Sequence, residues 1–134
     1  MTSSPWIVAC ALLVSGCAAV STSPAGGEGV RRRTLEQVGL SDGYELRLMR
    51  IEYAPGVAAQ VHRHPVAGLC YVLQGEAESQ YEGRPTVSLR AGDSYEDLAE
   101  IPHLVWRNRS DSEALVFLCA ARLAPGQAFA EPLD

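Results

Sequence analysis

The three histidines of this sequence have the residue type and the spacing of metal ligands. His62 and His64 are two residues apart, and His103 follows later in the chain. Side chains two apart on a β-strand point to the same face, so a His-x-His strand presents two imidazoles side by side. A third imidazole from another strand would complete one face of a metal site and leave positions open for water or substrate. We therefore predict a site for a divalent transition metal, with Fe, Mn, Zn, Ni and Cu as candidates.

The elements that must position these histidines are short strands. From residue 44 onward, apolar-alternating segments are separated by turn residues such as Pro55-Gly56 and Ala91-Gly92-Asp93. No segment keeps a 3.6-residue apolar period over three turns, and residues 34–41 fit either a helical turn or a first strand. This pattern predicts an all-β sandwich or barrel. The predicted strands are 44–53, 57–62, 69–73, 76–81, 86–90, 94–98, 104–106 and 113–121.

Composition excludes several classes of protein. The chain has 134 residues, 47% of them hydrophobic, and a net charge of -5, which indicates a single globular domain. All 11 basic residues are arginine, so catalysis through a lysine Schiff base is excluded. The one basic run, Arg31 to Arg33, is too short to form a basic face, and we expect no nucleic-acid partner.

The first residues have the features of an export signal. Residues 7–14 (IVACALLV) are too few to span a membrane but suit the apolar region of a signal peptide, although no Lys or Arg precedes them. Val14-Ser15-Gly16-Cys17 resembles the lipobox of bacterial lipoproteins, in which the cysteine is lipidated. Because Ala18 follows, sorting rules in enteric bacteria would direct such a protein to the outer membrane. We expect a periplasmic, lipid-anchored protein with a signal peptide at 1–16, lipidated Cys17 and a flexible tether over 17–33, and a folded domain over 34–134.

The histidines lie in a frame that resembles the cupin family. The first cupin motif, G-x5-H-x-H-x3,4-E-x6-G, matches at every spacing, but Gly68 stands where the motif has Glu. The second motif, G-x5-P-x-G-x2-H-x3-N, is matched by Gly92 and His103. It departs at Leu98 and Glu100, which replace Pro and Gly, and its Asn is one residue late, at Asn108. The resemblance implies a single double-stranded β-helix, also called a cupin or jelly-roll barrel.

The resemblance also bears on a fourth ligand. Cupin sites typically use the motif Glu, and Gly68 has no side chain to replace it. Some small cupins without that Glu carry an acidic residue five positions after the second-motif Gly, which corresponds to Asp97 here. Alternation lets only one of Glu96 and Asp97 face the cavity. The resemblance favours Asp97, with Glu96 or a water as the alternatives.

Two cysteines remain in the folded domain once Cys10 leaves with the signal peptide and Cys17 carries lipid. In an oxidising periplasm, Cys70 and Cys119 can pair as a disulfide. The other interpretation is two separate buried thiols, since free cysteine is among the most buried residue types. Cys70 is also a candidate thiolate ligand for a soft metal, because it points to the same face as position 68.

These observations lead to one expected function and two alternatives. We expect an envelope-anchored cupin with a His-based divalent-metal site, acting as a metal-dependent dioxygenase or isomerase on a small molecule. No catalytic residue is assigned. The alternatives are a non-catalytic small-molecule-binding module with a degenerate metal site and a structural lipoprotein with a relict pocket. The membrane is expected as a partner only through the lipid, and the resemblance and the exposed strand edges predict a homodimer.

Overall fold

The computed structural model describes residues 27–134 and shows ten β-strands in that part of the chain. The predicted signal peptide, the lipidated Cys17 and most of the predicted tether lie outside the described residues. No helix that could cross a membrane occurs among residues 27–134. The strands are β1 (Val30–Gly39), β2 (Glu45–Tyr53), β3 (His62–Arg63), β4 (Gly68–Gln74), β5 (Glu76–Tyr81), β6 (Val87–Arg90), β7 (Ser94–Asp97), β8 (His103–Asn108), β9 (Leu115–Leu123) and β10 (Glu131–Pro132).

The strands form two five-stranded antiparallel sheets. One sheet has the order β1-β2-β9-β4-β7 and the other β10-β3-β8-β5-β6. Consecutive strands repeatedly belong to different sheets, which is the arrangement of a jelly-roll barrel. The all-β, double-stranded β-helix class predicted from the sequence is confirmed.

Side-chain alternation places one face of each sheet in a shared core. Along β2, Met49, Ile51 and Tyr53 are buried, and residues of the opposite sheet such as Trp106 belong to the same cluster. The Trp106 ring meets the Phe117 ring edge-on, with 5.0 Å between centroids. The core therefore lies between the sheets, where the period-2 pattern of each strand directs its apolar residues.

A disulfide joins two neighbouring strands of the first sheet. Cys70 of β4 and Cys119 of β9 are directly opposite in register, and their sulfurs are bonded. Both residues are buried. The structure therefore confirms the disulfide and not the alternative of two separate buried thiols. In this oxidised state Cys70 has no thiolate, so it is not a metal ligand.

Three strands, β1, β3 and β10, differ from the strands expected from the sequence. β1 begins at Val30 and pairs with β2, so the predicted tether boundary at residue 33 lies inside β1. The sequence of β1 has no apolar alternation, and all but its first residue are exposed. The strand forms through backbone hydrogen bonds to β2. The strand predicted over 57–62 is reduced to an isolated bridge at Ala58 and the two-residue β3. β10, which contains Pro132, was not expected.

Candidate metal centre

The barrel brings the three histidines together in its interior. His62 in β3 and His103 in β8 are register partners, and His64 follows β3 in an isolated bridge to Ala99. One ligand atom from each of the three imidazoles lies within 4.8 Å of the others. Their ring centroids are 4.9 to 6.1 Å apart. We call His62, His64 and His103 the three-histidine group.

Backbone carbonyls orient two of the three rings. His62 Nδ1 lies 2.8 Å from the Gln60 carbonyl oxygen, and His64 Nδ1 lies 2.9 Å from the Phe129 carbonyl oxygen. Since a carbonyl oxygen only accepts, each Nδ1 donates its proton and each Nε2 keeps an available lone pair. This second hydrogen bond is the usual support of a metal-binding histidine.

His103 carries the observation that tests whether a metal ion fits. Its Nε2 is 2.8 Å from the Ser79 hydroxyl, and its ring stacks on Tyr81 with 3.9 Å between centroids. Its Nδ1 is the one buried side-chain nitrogen or oxygen without a hydrogen-bond partner among residues 27–134. A buried polar atom without a partner costs free energy, and an ion bound there would remove that cost. The donor set therefore fits a transition metal.

Burial keeps the three imidazoles neutral at neutral pH. Desolvation lowers the pKa of His62 and of His64 below the usual value. It lowers the pKa of His103 to about 3, and repulsion from His62 and His64 adds to this effect. The Val105 backbone opposes the shift and is the smallest of these contributions. Neutral imidazole is the form that binds metal ions, so the group needs no deprotonation to do so.

Asp97 lies beside the three-histidine group. It is the register partner of Gly68 in the β4–β7 ladder and is buried, whereas the preceding Glu96 is exposed. Its Oδ1 accepts a hydrogen bond from the Tyr81 hydroxyl at 2.9 Å, and its Oδ2 lies 3.7 Å from His64 Nε2. Burial raises the pKa of Asp97 to about 6. Asp97 therefore places a carboxylate beside the histidines, as the Glu missing from position 68 would have done. Its oxygens do not belong to the set of imidazole ligand atoms that lie within 4.8 Å of one another.

The histidines and Asp97 line a small cavity. Its volume of about 30 Å³ is more than a single water molecule needs and is small for a ligand site. Arg32, Phe129 and Ala130 contribute to its wall together with apolar core residues.

Several residues of the site could not be identified from the sequence. Ser79, Phe129 and Arg32 were not singled out, because no motif marks them and each comes from an element far along the chain from the histidines. Tyr81 links His103 to Asp97, because its ring stacks on His103 and its hydroxyl donates to Asp97. Asn108 has a structural role, since its side-chain amide donates to the backbone carbonyls of Tyr53, Ala54 and Glu113.

Glu100 shows how the second motif is kept without its usual glycine. It has a φ of 63°, a left-handed conformation that glycine adopts with least strain. Its backbone N–H donates to the His64 carbonyl at 2.8 Å. The turn therefore remains beside the site, at the steric cost of a side chain in that conformation.

The fold and the site together define a cupin-type barrel with a histidine cluster in its interior. A family model described as the cupin domain (Cupin_2) matches residues 49–121, more than half of the chain. The chain therefore belongs to the cupin family. No curated protein matches it.

Solved structures with the same fold are similar only at low sequence identity. A cupin-like protein from Thermotoga maritima is 22% identical with a TM-score of 0.63, covering 87% of this chain and 89% of that one. The DMSP lyase DddQ from Ruegeria pomeroyi is 23% identical with a TM-score of 0.60, over 77% of this chain and 51% of that one. The polyketide cyclase RemF from Streptomyces resistomycificus is 21% identical with a TM-score of 0.58, over 75% and 69%. This chain thus spans about half the length of the lyase.

Proposed function

We propose that this protein is an envelope-anchored cupin that binds one divalent transition-metal ion through His62, His64 and His103 and acts on a small molecule. The observation that carries the proposal is the convergence of three neutral imidazoles, one of which has a buried nitrogen without a partner. Asp97 is proposed as the fourth protein group of the site. The ion would act as a Lewis acid for an isomerase-type reaction or, if redox-active, support a dioxygenase.

The chain's own residues would prepare the site for such chemistry. The carbonyls of Gln60 and Phe129 hold the first two imidazoles, and the Ser79 hydroxyl holds the third. Tyr81 donates to Asp97 Oδ1 and so leaves Oδ2 on the side of His64. His64, His103 and Asp97 are buried, which limits their contact with bulk water and strengthens the electrostatic interactions between them.

The substrate is proposed to be small and anionic. The cavity volume limits its size, and Arg32 places a positive charge on the cavity wall. The Arg32 guanidinium donates to the Tyr53 hydroxyl at 3.4 Å, which holds it beside the core. That a lyase of DMSP and a polyketide cyclase share the fold supports a small-molecule reaction.

Metal content tests this proposal directly. We expect the full chain, purified in detergent and reconstituted with each candidate ion, to hold about one ion per chain by elemental analysis. His62→Ala and His103→Ala should each lower the affinity for that ion by at least about 100-fold, since each removes one of three ligands. Glu96→Ala is the control, because Glu96 is exposed and does not line the cavity, and this variant should bind the ion as the wild type does.

Absence of any bound ion after reconstitution would refute the metalloprotein proposal. Binding that survives both histidine substitutions would place the ion elsewhere. An ion bound as expected, without turnover of any small anion, would favour the non-catalytic binding module over the enzyme.

Envelope anchoring through Cys17 has support from the disulfide. Cys70 and Cys119 form a bond that persists in oxidising compartments and is rare in the cytosol. We expect cells expressing the full chain to incorporate labelled fatty acid into it and to retain it in the membrane fraction. Cys17→Ser should abolish the labelling, whereas labelling that persists in this variant would contradict the anchor.

A further inference from the structure

The segment 127–133 runs along the edge of the second sheet, beside the three-histidine group. Its strand β10 pairs with β3, so that Pro132 lies opposite His62. The Leu133 N–H donates to the Val61 carbonyl at 2.9 Å, and Glu131 forms an ion pair with Arg63 at 3.3 Å. The segment is thus attached to the strand that carries one metal-ligand candidate and precedes another.

A second attachment fixes the start of this segment. The Arg47 guanidinium donates to the Gln127 carbonyl at 3.1 Å. Arg47 is itself paired with Glu45, a buried carboxylate of β2. Gln127 also closes a turn with Ala124 through its backbone N–H and its side-chain oxygen. The segment is therefore held at both ends against the barrel.

Between these attachments, Phe129 forms a wall of the cavity. Its carbonyl accepts the His64 Nδ1 proton, and its ring lies 4.6 Å from the His64 ring, centroid to centroid. A Cβ atom added at Gly68 would lie 2.5 Å from Phe129 Cζ and 2.7 Å from Cε2. The Phe129 ring thus occupies the space that any side chain at position 68 would need.

We infer that Phe129 is a specificity-determining residue, because its ring limits the size of the ligand that reaches the three-histidine group. This inference rests on the proposed function for the site it concerns. The backbone of Phe129 positions His64. Its ring fills the space beside Gly68, which has no side chain, and gives that side of the cavity an apolar wall. Ligands larger than the present cavity are excluded by the ring and not by the histidines.

The Phe129→Ala variant separates these two roles, because it keeps the carbonyl that orients His64 and removes only the ring. The control is Leu133→Ala, which removes apolar volume from the same segment at a residue that does not line the cavity. Phe129→Leu keeps an apolar wall and serves as a second variant if Phe129→Ala folds poorly. The Trp106 indole N–H resonance reports binding, because Trp106 lines the cavity.

Two arms of the experiment keep this inference apart from the proposed function. The metal-loaded protein is titrated with formate and with benzoate, and the metal-free protein is titrated with benzene. We expect Phe129→Ala to bind benzoate at least about tenfold more tightly than the wild type, with formate unchanged within about twofold. In the metal-free arm, benzene should bind to Phe129→Ala and not to the wild type or Leu133→Ala.

Two of the possible results would overturn the inference, and one would overturn only the proposed function. If the metal binds but benzoate affinity is the same in the wild type, Phe129→Ala and Phe129→Leu, the inference is overturned and the proposed function stands. If no metal binds but benzene enters only Phe129→Ala, the ring is still the size limit and the proposed function fails. Equal benzene binding in the wild type and Phe129→Ala would overturn the inference without reference to any metal.

Discussion

Replacing both Cys70 and Cys119 with alanine is expected to lower the free energy of unfolding by about 4 kcal/mol. The bond closes a loop with a sequence separation of 49 residues, so it removes considerable conformational freedom from the unfolded chain. It also joins β4 to β9, two inner strands of the first sheet. Urea unfolding of the full chain, followed by far-ultraviolet circular dichroism, measures the change.

The reduced wild type is the control for this variant. Because both sulfurs are buried, alanine also leaves small gaps in the core, whereas reduction by a dithiol removes only the crosslink. The two should be destabilised to within about 1 kcal/mol of each other. A double variant as stable as the oxidised wild type would show that the crosslink does not constrain the unfolded chain.

The second large effect is a pH dependence centred on Asp97. Burial raises its pKa from 3.8 to about 6, so between these pH values the folded state keeps a proton that the unfolded state has lost. The free energy of unfolding contributed by this group therefore falls as pH rises through that window. The fall amounts to about 3 kcal/mol for a shift of roughly two pKa units.

Asp97→Asn isolates this contribution, because asparagine does not titrate and still accepts from Tyr81. We expect the stability of the variant, relative to the wild type, to rise by about 2.4 kcal/mol between pH 4 and pH 7, which covers most of that window. The measurement is urea unfolding at each pH with a chelator present. The histidines have lowered pKa values and act in the opposite direction, but both proteins retain them, so their contribution largely cancels. A stability difference that is independent of pH would contradict the raised pKa.

Local patterns determine the parts of this protein that the sequence predicts well. Period-2 alternation marks β2, a long apolar run marks β9, and turn residues mark most strand ends. The spacing from Gly56 through His62 and His64 to Gly75 indicates the cupin barrel. Together with Gly92 and His103 of the second motif, it predicts that the three histidines meet. The exposed β1 and the two-residue β10 were missed or left open, because backbone pairing forms them without an apolar pattern.

Only the tertiary structure decided the choices that depend on register and packing. Alternation allowed either Glu96 or Asp97 to face inward, and the β4–β7 register opposite Gly68 places Asp97 there. The β4–β9 register pairs Cys70 with Cys119, which two isolated positions in the sequence could not establish. Phe129 reaches His64 only because β10 returns to β3. A sequence specifies local periodicity directly, whereas contacts between distant segments depend on how all the strands pair and pack at once.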